Sequence, residues 1–265
     1  MSSTTGLVRS ELTKILSTRL WWGMLIGVVI WTLFNAGISA AFAGVDQGAG
    51  QDALPGLDRP EALRGVYAAA AFSGAYIFAL VLGVTGMTGE HRYQTVTPTF
   101  LATPRRARVV VAKALAHLGV GVGYGVVAVV TAFVVGGTVV LLRGFDLGLG
   151  TPGLWRAVVL GVLAVAAWTL VGLGIGTLIR NQVAAILVAV AITFLIEPLL
   201  SLALGAADLD VIGKFLPSSA SSAMTSPPNQ FLDLLPWWGG ALVLLGYAVL
   251  FAGLGVLLSV RRDVT

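Results

Sequence analysis

The chain contains little charge and no cysteine. Only 11% of its 265 residues are Asp, Glu, Lys or Arg, whereas 57% are hydrophobic. Soluble domains are ordinarily about 25% charged, so these few charges could not cover the surface of a water-exposed protein of this size. The absence of cysteine excludes disulfides and thiolate chemistry. This composition predicts a membrane protein.

Sequence signatures of catalysis are also missing. There is no G-x-x-x-x-G-K-[ST] pattern, because Gly213 and Lys214 are followed by Phe215, and the chain therefore does not bind ATP through a P-loop. Neither histidine, His91 or His117, lies in a zinc-protease pattern, and both are interpreted as loop or packed residues. We expect no catalytic residue, metal or cofactor on this chain and no enzyme activity of its own.

Long hydrophobic runs dominate the sequence instead. Six runs reach the roughly 20 apolar residues that a helix needs to cross about 30 Å of hydrocarbon. They do not alternate apolar and polar residues as the strands of a membrane barrel would. We predict an all-α membrane protein, one domain over residues 1–265, with six transmembrane helices over residues 21–44, 66–89, 111–142, 155–179, 182–205 and 235–260.

Lys and Arg are distributed unevenly between these predicted spans. If the N-terminus is inside, eleven of the 16 basic residues lie on the cytoplasmic side and eight of the 12 acids on the outer side. This asymmetry predicts that both termini are cytoplasmic. The net charge of +4 and the pI near 9.8 then reflect topology and anionic inner lipids. We expect no nucleic-acid binding, which would need a soluble fold behind a basic face.

Residues 4–20, before the first span, form an amphipathic helical pattern. Aliphatic residues recur at helical spacing on one face, and basic and hydroxyl residues occupy the other. The two faces are Leu7, Val8, Leu12, Ile15, Leu16 and Leu20 against Arg9, Ser10, Thr13, Lys14 and Ser17. We predict an interfacial helix followed by Trp21 and Trp22 at headgroup depth. The alternative is a solvated basic tail that only sets topology.

Two polar residues inside predicted spans are candidates for a functional role. Asn35 lies near the middle of the first span, and Glu197 precedes Pro198 in the fifth. A carboxylate in hydrocarbon is costly and should face protein or a water-filled cavity. The alternative for Glu197 is hydration near the outer interface, with Pro198 marking a local break.

One polar segment, TGEHRYQTVTPTFLATPRRARVVVAK, separates the second and third runs. Its residues Thr88, Gly89, Glu90, Arg92, Thr95, Val96, Thr99, Pro104, Arg106 and Lys113 resemble the T-G-E-x-R-x-G-T-I-x-x-T-x-x-x-x-P-x-R-x-x-x-x-x-x-K pattern of permease subunits of the ABC-2 type family. Gln94 stands where that family usually has glycine, and His91 where an aromatic residue is common. The resemblance covers the whole chain in order, from the basic interfacial helix through the six spans.

This resemblance implies a permease subunit of a bacterial ABC transporter in the plasma membrane. The expected activity is export of a small amphipathic molecule through the pathway that the permease forms, with Asn35 and Glu197 as the pathway candidates. The implied partners are an ABC ATPase subunit in two copies, which carries ATP and Mg, and a second permease chain, identical or related. An ion-coupled secondary carrier that uses Glu197 is the alternative function.

The resemblance also implies that residues 90–108 are a coupling loop docked on the ATPase. We expect a short cytoplasmic coupling helix around residues 91–101, and a re-entrant or short-helix outer segment over residues 206–234. Pro98 disfavours one continuous helix, and Thr103 and Pro104 have the chemistry to start the next one. The expected coupling residues are Glu90, Arg92, Tyr93, Thr95, Thr99, Arg105 and Arg106. A plain positive-inside loop is the alternative.

Overall fold

The structure, a computed structural model, describes residues 4–45, 55–69, 73–94, 106–225 and 234–262. Within these ranges the chain is helical and has no strand. In chain order the helices are α1 (Thr4–Ser17), α2 (Leu20–Phe42), α3 (Pro60–Arg64), α4 (Ala75–Arg92), α5 (Arg106–Leu142), α6 (Leu154–Leu178), α7 (Gln182–Ala191), α8 (Glu197–Ala206), α9 (Asp210–Gly213), α10 (Pro217–Thr225) and α11 (Trp237–Arg262).

Four helical segments are long and apolar enough to cross a membrane. They are Leu20–Phe42, Arg108–Leu142, Leu154–Leu178 and Gln182–Ala206, and they match the predicted spans 21–44, 111–142, 155–179 and 182–205. In α11 the shorter apolar stretch Trp237–Phe251 lies where span 235–260 is predicted. The described residues thus confirm the all-α class and four helices with the length and composition of membrane spans, whereas the count of six and the orientation stay predictions.

The second predicted span, residues 66–89, is not one continuous helix. α3 runs into a π-helical turn at Gly65–Ala69, and α4 begins only at Ala75. Gly74 directly before α4 has a φ of 89°, a left-handed conformation that lies outside the right-handed helix and that glycine adopts readily. The charge-free run is therefore divided at Gly74, and the prediction of a single helix there is wrong.

The fifth span continues past Pro198, where the sequence suggested a local break. α7 passes through a π-helical turn at Ile192–Ile196 directly into α8. Proline has no N–H and crowds the carbonyl four residues earlier, which here is that of Phe194. The wider π turn contains this carbonyl and keeps the segment helical.

α6 is the central helix of the fold. It is buried along most of its length and packs against α4, α5 and α11. Glycines allow the backbones to approach: Gly172 and Gly176 face backbone carbonyls of α4, and a Cβ at Gly121 of α5 would lie 2.8 Å from Ala166 Cα of α6. Close approach through small residues is how helices associate in a bilayer, where apolar surface gives little drive.

Short helices occur where the sequence predicts them, before the first span and between the last two spans. The amphipathic segment 4–20 is indeed helical over Thr4–Ser17, but its apolar side packs on protein, with Ile15 buried in the core and Val8 and Leu12 against it. The predicted short helices between the last two spans are present as α9 and α10, which are too short to cross a membrane. α10 packs on α6 and α11.

Replacing Gly121 with Val should lower the free energy of unfolding by about 1–3 kcal/mol, because the new side chain would push into the α6 backbone. The matched control is Gly119→Val on the same helix, where nothing lies within 4 Å of the added Cβ. Chemical denaturation in detergent micelles measures both variants. Equal destabilisation by the two would contradict the close contact of α5 with α6.

Candidate functional site

Four charged side chains from three helices form a closed ring of ion pairs. Glu11 and Lys14 come from α1, Glu90 from the last turn of α4, and Lys113 from the second turn of α5. Lys113 Nζ lies 2.5 Å from Glu11 Oε2 and 2.9 Å from Glu90 Oε1. Lys14 Nζ lies 2.6 Å from Glu11 Oε1 and 3.0 Å from Glu90 Oε1. We call this set the four-charge ring.

Burial makes the ring sensitive to the loss of a member. Glu11, Glu90 and Lys113 are only 5%, 7% and 4% exposed, whereas the Lys14 side chain is 42% exposed. A buried charge is tolerated only when it is paired and hydrogen-bonded. Lys113 Nζ meets this condition with a further bond, to Gly86 O at 3.2 Å. The ring therefore fixes α1 against α4 and α5.

The position of Glu90 explains why two cations meet there. A carboxylate in the last turn of a helix faces the negative end of the helix dipole, which disfavours its charge. Lys113 and Lys14 both donate to Glu90 Oε1 and offset that repulsion. Glu90 thus depends on neighbouring helices rather than on α4.

The α1 members of the ring have shifted pKa values. Burial alone would raise the pKa of Glu11, but the charges and hydrogen bonds of Lys113 and Lys14 hold it below its ordinary value of 4.5. Burial would likewise lower the pKa of Lys14, but Glu11 and Glu90 keep it above 10.5. Both groups are therefore charged across the physiological range.

His117 lies one turn beyond Lys113 and is 1% exposed. Its Nδ1 is 2.8 Å from Lys113 O, and because a carbonyl can only accept, Nδ1 is the donor in this hydrogen bond. Nε2 has no hydrogen-bond partner and lies where a Cβ on Gly86 would be. Only glycine at position 86 leaves room for this imidazole between α4 and α5.

A cavity of about 580 Å³ opens beside the ring. Its size is within the range of small-molecule sites. The cavity lies between α1, α4 and α5 and reaches the first residue of α7, and it is lined by Glu11, Lys14, Ile15, Ser17, Thr18, Leu20, Leu82, Thr85, Gly86, Gly89, Glu90, Arg92, Tyr93, Lys113, His117 and Gln182. Across the residues that the structure describes, no group of three His, Cys, Asp or Glu could hold a metal.

The predicted coupling residues divide into three groups. Glu90 belongs to the ring, and Arg92 and Tyr93 line the cavity where α4 ends. Arg92 Nη1 donates to Gln182 Oε1 at 3.3 Å and its guanidinium lies 5.7 Å from the Tyr93 ring centre, while Tyr93 is 70% exposed. Arg106 begins α5. Thr95, Thr99 and Arg105 lie outside the described residues.

The start predicted for the coupling helix is wrong. His91 and Arg92 are the last residues of α4, so a separate helix could begin only after them. Gln94 has a φ of 56°, a left-handed conformation that does not continue a helix. Residues 95–101, the remainder of that predicted helix, are outside the described ranges.

The two pathway candidates are not joined to the ring by any described contact. Asn35 Nδ2 donates to Trp31 O at 3.0 Å, and its Oδ1 accepts from Ser73 Oγ at 3.4 Å. Trp31 Nε1 also donates to Ser73 O. Asn35 therefore fastens α2 to the chain just before α4. Glu197 is buried elsewhere, at the start of α8.

The sequence analysis did not single out three residues of this site. Glu11 is the sole acid among the first 45 residues, and an unmatched acid on a basic helix was the available signal. Lys113 was noted only as the end of a motif, although it follows three valines and an alanine. His117 was interpreted as a packed residue, and it is buried beside Lys113.

Comparison with known proteins finds no matching family model and no curated protein with significant similarity. The relation to the ABC-2 type family therefore depends on the residues of the Thr88–Lys113 segment. It stays an expectation.

Replacing Lys113 with Met should lower the free energy of unfolding by about 3–5 kcal/mol, because Glu11 and Glu90 would remain buried with one cation between them. The matched control is Arg9→Met, on the exposed side of α1, which should change stability little. Denaturation in detergent measures both, and adding Glu90→Gln to Lys113→Met should restore part of the loss. Equal effects of Lys113→Met and Arg9→Met would refute the buried ring.

The contribution of Glu11 and Lys14 to stability should be constant between pH 4.5 and 10.5. The lowered pKa of Glu11 means that its contribution is complete above 4.5 and is lost as the pH falls through the folded value. The raised pKa of Lys14 means that its contribution is complete below 10.5 and is lost above it. The measurement is the stability difference between wild type and Glu11→Gln across pH. A step near neutrality would contradict this assignment.

Proposed function

We propose that this chain is the permease subunit of an ATP-binding cassette transporter. It forms a membrane pathway and catalyses no reaction of its own. A separate ATPase subunit in two copies supplies the energy, with ATP and Mg bound there, and a second permease chain completes the pathway. The transporter exports a small amphipathic molecule across a bacterial plasma membrane, with both termini of the permease cytoplasmic.

The contact between Glu90 and Lys113 is the observation that supports this proposal best. Glu90 is the first residue of the loop that would dock on the ATPase and Lys113 lies five residues beyond its end, and their charged atoms are 2.9 Å apart. A loop that transmits movement to a membrane domain must be firmly held where it joins the helices. The buried ion pair does this for α4 and α5 together, and the ring adds α1.

The backbone at Gln94 also supports the resemblance. The family usually has glycine at this position, and Gln94 has a φ of 56°, in the left-handed region that glycine favours. A conformation that suits glycine thus occurs at the position where the motif has glycine. This chain therefore differs from the motif at residue 94 in its side chain, while the backbone conformation there is one that glycine would adopt.

Arg92 and Tyr93 provide a surface for the proposed partner. Both are exposed at the end of α4, next to the buried Glu90. A cation and an exposed aromatic ring are residue types enriched in protein interfaces. Their side chains can be removed without disturbing the ring, so a docking role can be separated from a role in folding.

An ion-coupled carrier is the second candidate, and Glu197 is the observation that favours it. Glu197 Oε1 is buried without a hydrogen-bond partner, as a proton-carrying group in a membrane would be. The two functions differ in their energy source. Uptake by the purified chain alone in a pH gradient favours the carrier, and transport only with an ATPase and ATP favours the permease.

Replacing Tyr93 with Ala should weaken assembly with the ATPase or uncouple ATP hydrolysis from transport, with no loss of fold. The reason is that Tyr93 is 70% exposed and contributes little to packing. The matched control is Arg156→Ala, exposed at the start of α6 and on the predicted outer side. Co-purification from host membranes, ATP hydrolysis and transport in vesicles are measured for both. Normal coupling in Tyr93→Ala would argue against docking through this surface.

A further inference from the structure

Glu197 is a buried carboxylate that protein groups satisfy on one side only. Its Oε2 accepts a hydrogen bond from Ser218 N at 3.0 Å, at the start of α10. Its Oε1 is fully buried and has no hydrogen-bond partner. The residue as a whole is 4% exposed. Ser218 is thus the described donor to this carboxylate, and Oε1 is buried without a hydrogen bond of its own.

The described ion pairs place no Lys or Arg on Glu197. The contrast with the four-charge ring is clear, since both carboxylates there have two cations within 3.0 Å. A buried, unpaired carboxylate is costly, and proteins retain one where function needs it. A cation brought by a ligand would complete the pairing.

Aromatic side chains pack along the segment that holds this carboxylate. Tyr76 of α4 stacks on Trp168 of α6 with ring centres 4.7 Å apart, and Trp168 Nε1 is held by Ser221 Oγ at 2.6 Å. Tyr247 OH donates to Phe215 O at 3.2 Å, so both aromatic groups are linked to the segment 215–221 whose Ser218 N donates to Glu197. The faces of such rings attract cations. Tyr76 and Tyr247 are only half-buried, so a ligand can approach past them.

A π-helical turn directly before Glu197 changes the side of the helix on which its side chain lies. The π-helical turn at Ile192–Ile196 ends directly before it, and π turns are frequent at functional sites. Phe194, Leu195 and Ile196 are about half exposed on the outside of the bundle, whereas Glu197 is turned inward to α10. The wider turn thus places an acid inside a helix face that is otherwise apolar.

We propose that Glu197, with Tyr76 and Tyr247, forms a binding site for an organic cation with an apolar or aromatic body. The carboxylate provides the opposite charge and the rings provide cation–π contact. This proposal names a substrate class for the proposed transporter and rests on that function for its role. The binding itself requires neither ATP nor the ATPase.

The test is binding of tetraphenylphosphonium to the full chain in lipid nanodiscs, with tetraphenylborate as a probe of the same size and opposite charge. Glu197→Gln should weaken binding of the cation about tenfold or more and leave the anion unchanged, because Gln keeps an acceptor for Ser218 N. The matched control is Glu61→Gln, an exposed acid paired with Arg64, which should not affect either probe.

A second pair of variants guards against misfolding of Glu197→Gln. Tyr247 OH donates to Phe215 O at 3.2 Å, so Tyr247→Phe removes this bond and keeps the ring, whereas Tyr247→Leu removes both. Cation binding should persist in Tyr247→Phe and fall severalfold in Tyr247→Leu. Equal loss in the two would overturn the role of the ring.

The outcomes separate this proposal from the proposed function. Cation binding that is the same in wild type and Glu197→Gln, or no cation binding by wild type, overturns the site even if the chain couples to an ATPase. Cation binding that depends on Glu197 supports the site even if no ATPase assembles with the chain. Equal weakening of the anion by Glu197→Gln would show a general packing defect and also overturn it.

Discussion

Lys113 is the residue on which the arrangement of the N-terminal half depends. Its ammonium group joins carboxylates from two other helices and is almost entirely buried. Burial of charge is costly, so this contact is sustained only while both carboxylates are present and correctly placed. α1, the end of α4 and the start of α5 are consequently fixed together, and the cavity beside them takes its shape from that contact. Lys113 also bonds to Gly86 of α4 through its ammonium group and to the His117 ring through its backbone carbonyl.

The rest of the fold satisfies a second constraint, which is the close approach of backbones around α6. In a lipid bilayer, burial of apolar side chains contributes little free energy to helix association. The helices therefore associate through close van der Waals packing of complementary surfaces. Gly172 and Gly176 admit the α4 backbone, and Gly121 and Gly125 bring α5 to α6. α4 is thus held by glycine contacts to α6 along its middle and by ion pairs at its end.

The sequence predicted the elements that bilayer thickness determines. Four spans fall within a few residues of their predicted bounds, because a charge-free run of the required length has one main explanation. The division at Gly74 was missed because the residues around it are as apolar as those of a span, and a left-handed φ leaves no compositional trace. For the site, the motif contained Glu90 and Lys113, but the pairing with Glu11 depends on how α1 packs. Glu197 was recognised as costly from sequence alone, whereas its missing partner required the structure.

The two buried acidic sites lie at opposite ends of one helix. Tyr76, beside Glu197, and Glu90, in the ring, are fourteen residues apart on α4, which corresponds to roughly 21 Å along its axis. The ring is internally neutral and holds its helices together without a ligand. Glu197 has no cation partner among the described ion pairs, and in the site proposed above a bound organic cation would complete its pairing. If the proposed cation site and the proposed transporter both hold, α4 would have a ligand-dependent charge beside one end and a fixed ion-pair anchor at the other, and it could transmit the presence of a cation to the segment that follows Arg92. In the proposed transporter, this difference in charge balance between the two sites makes α4 the candidate link between cation binding and the ATPase.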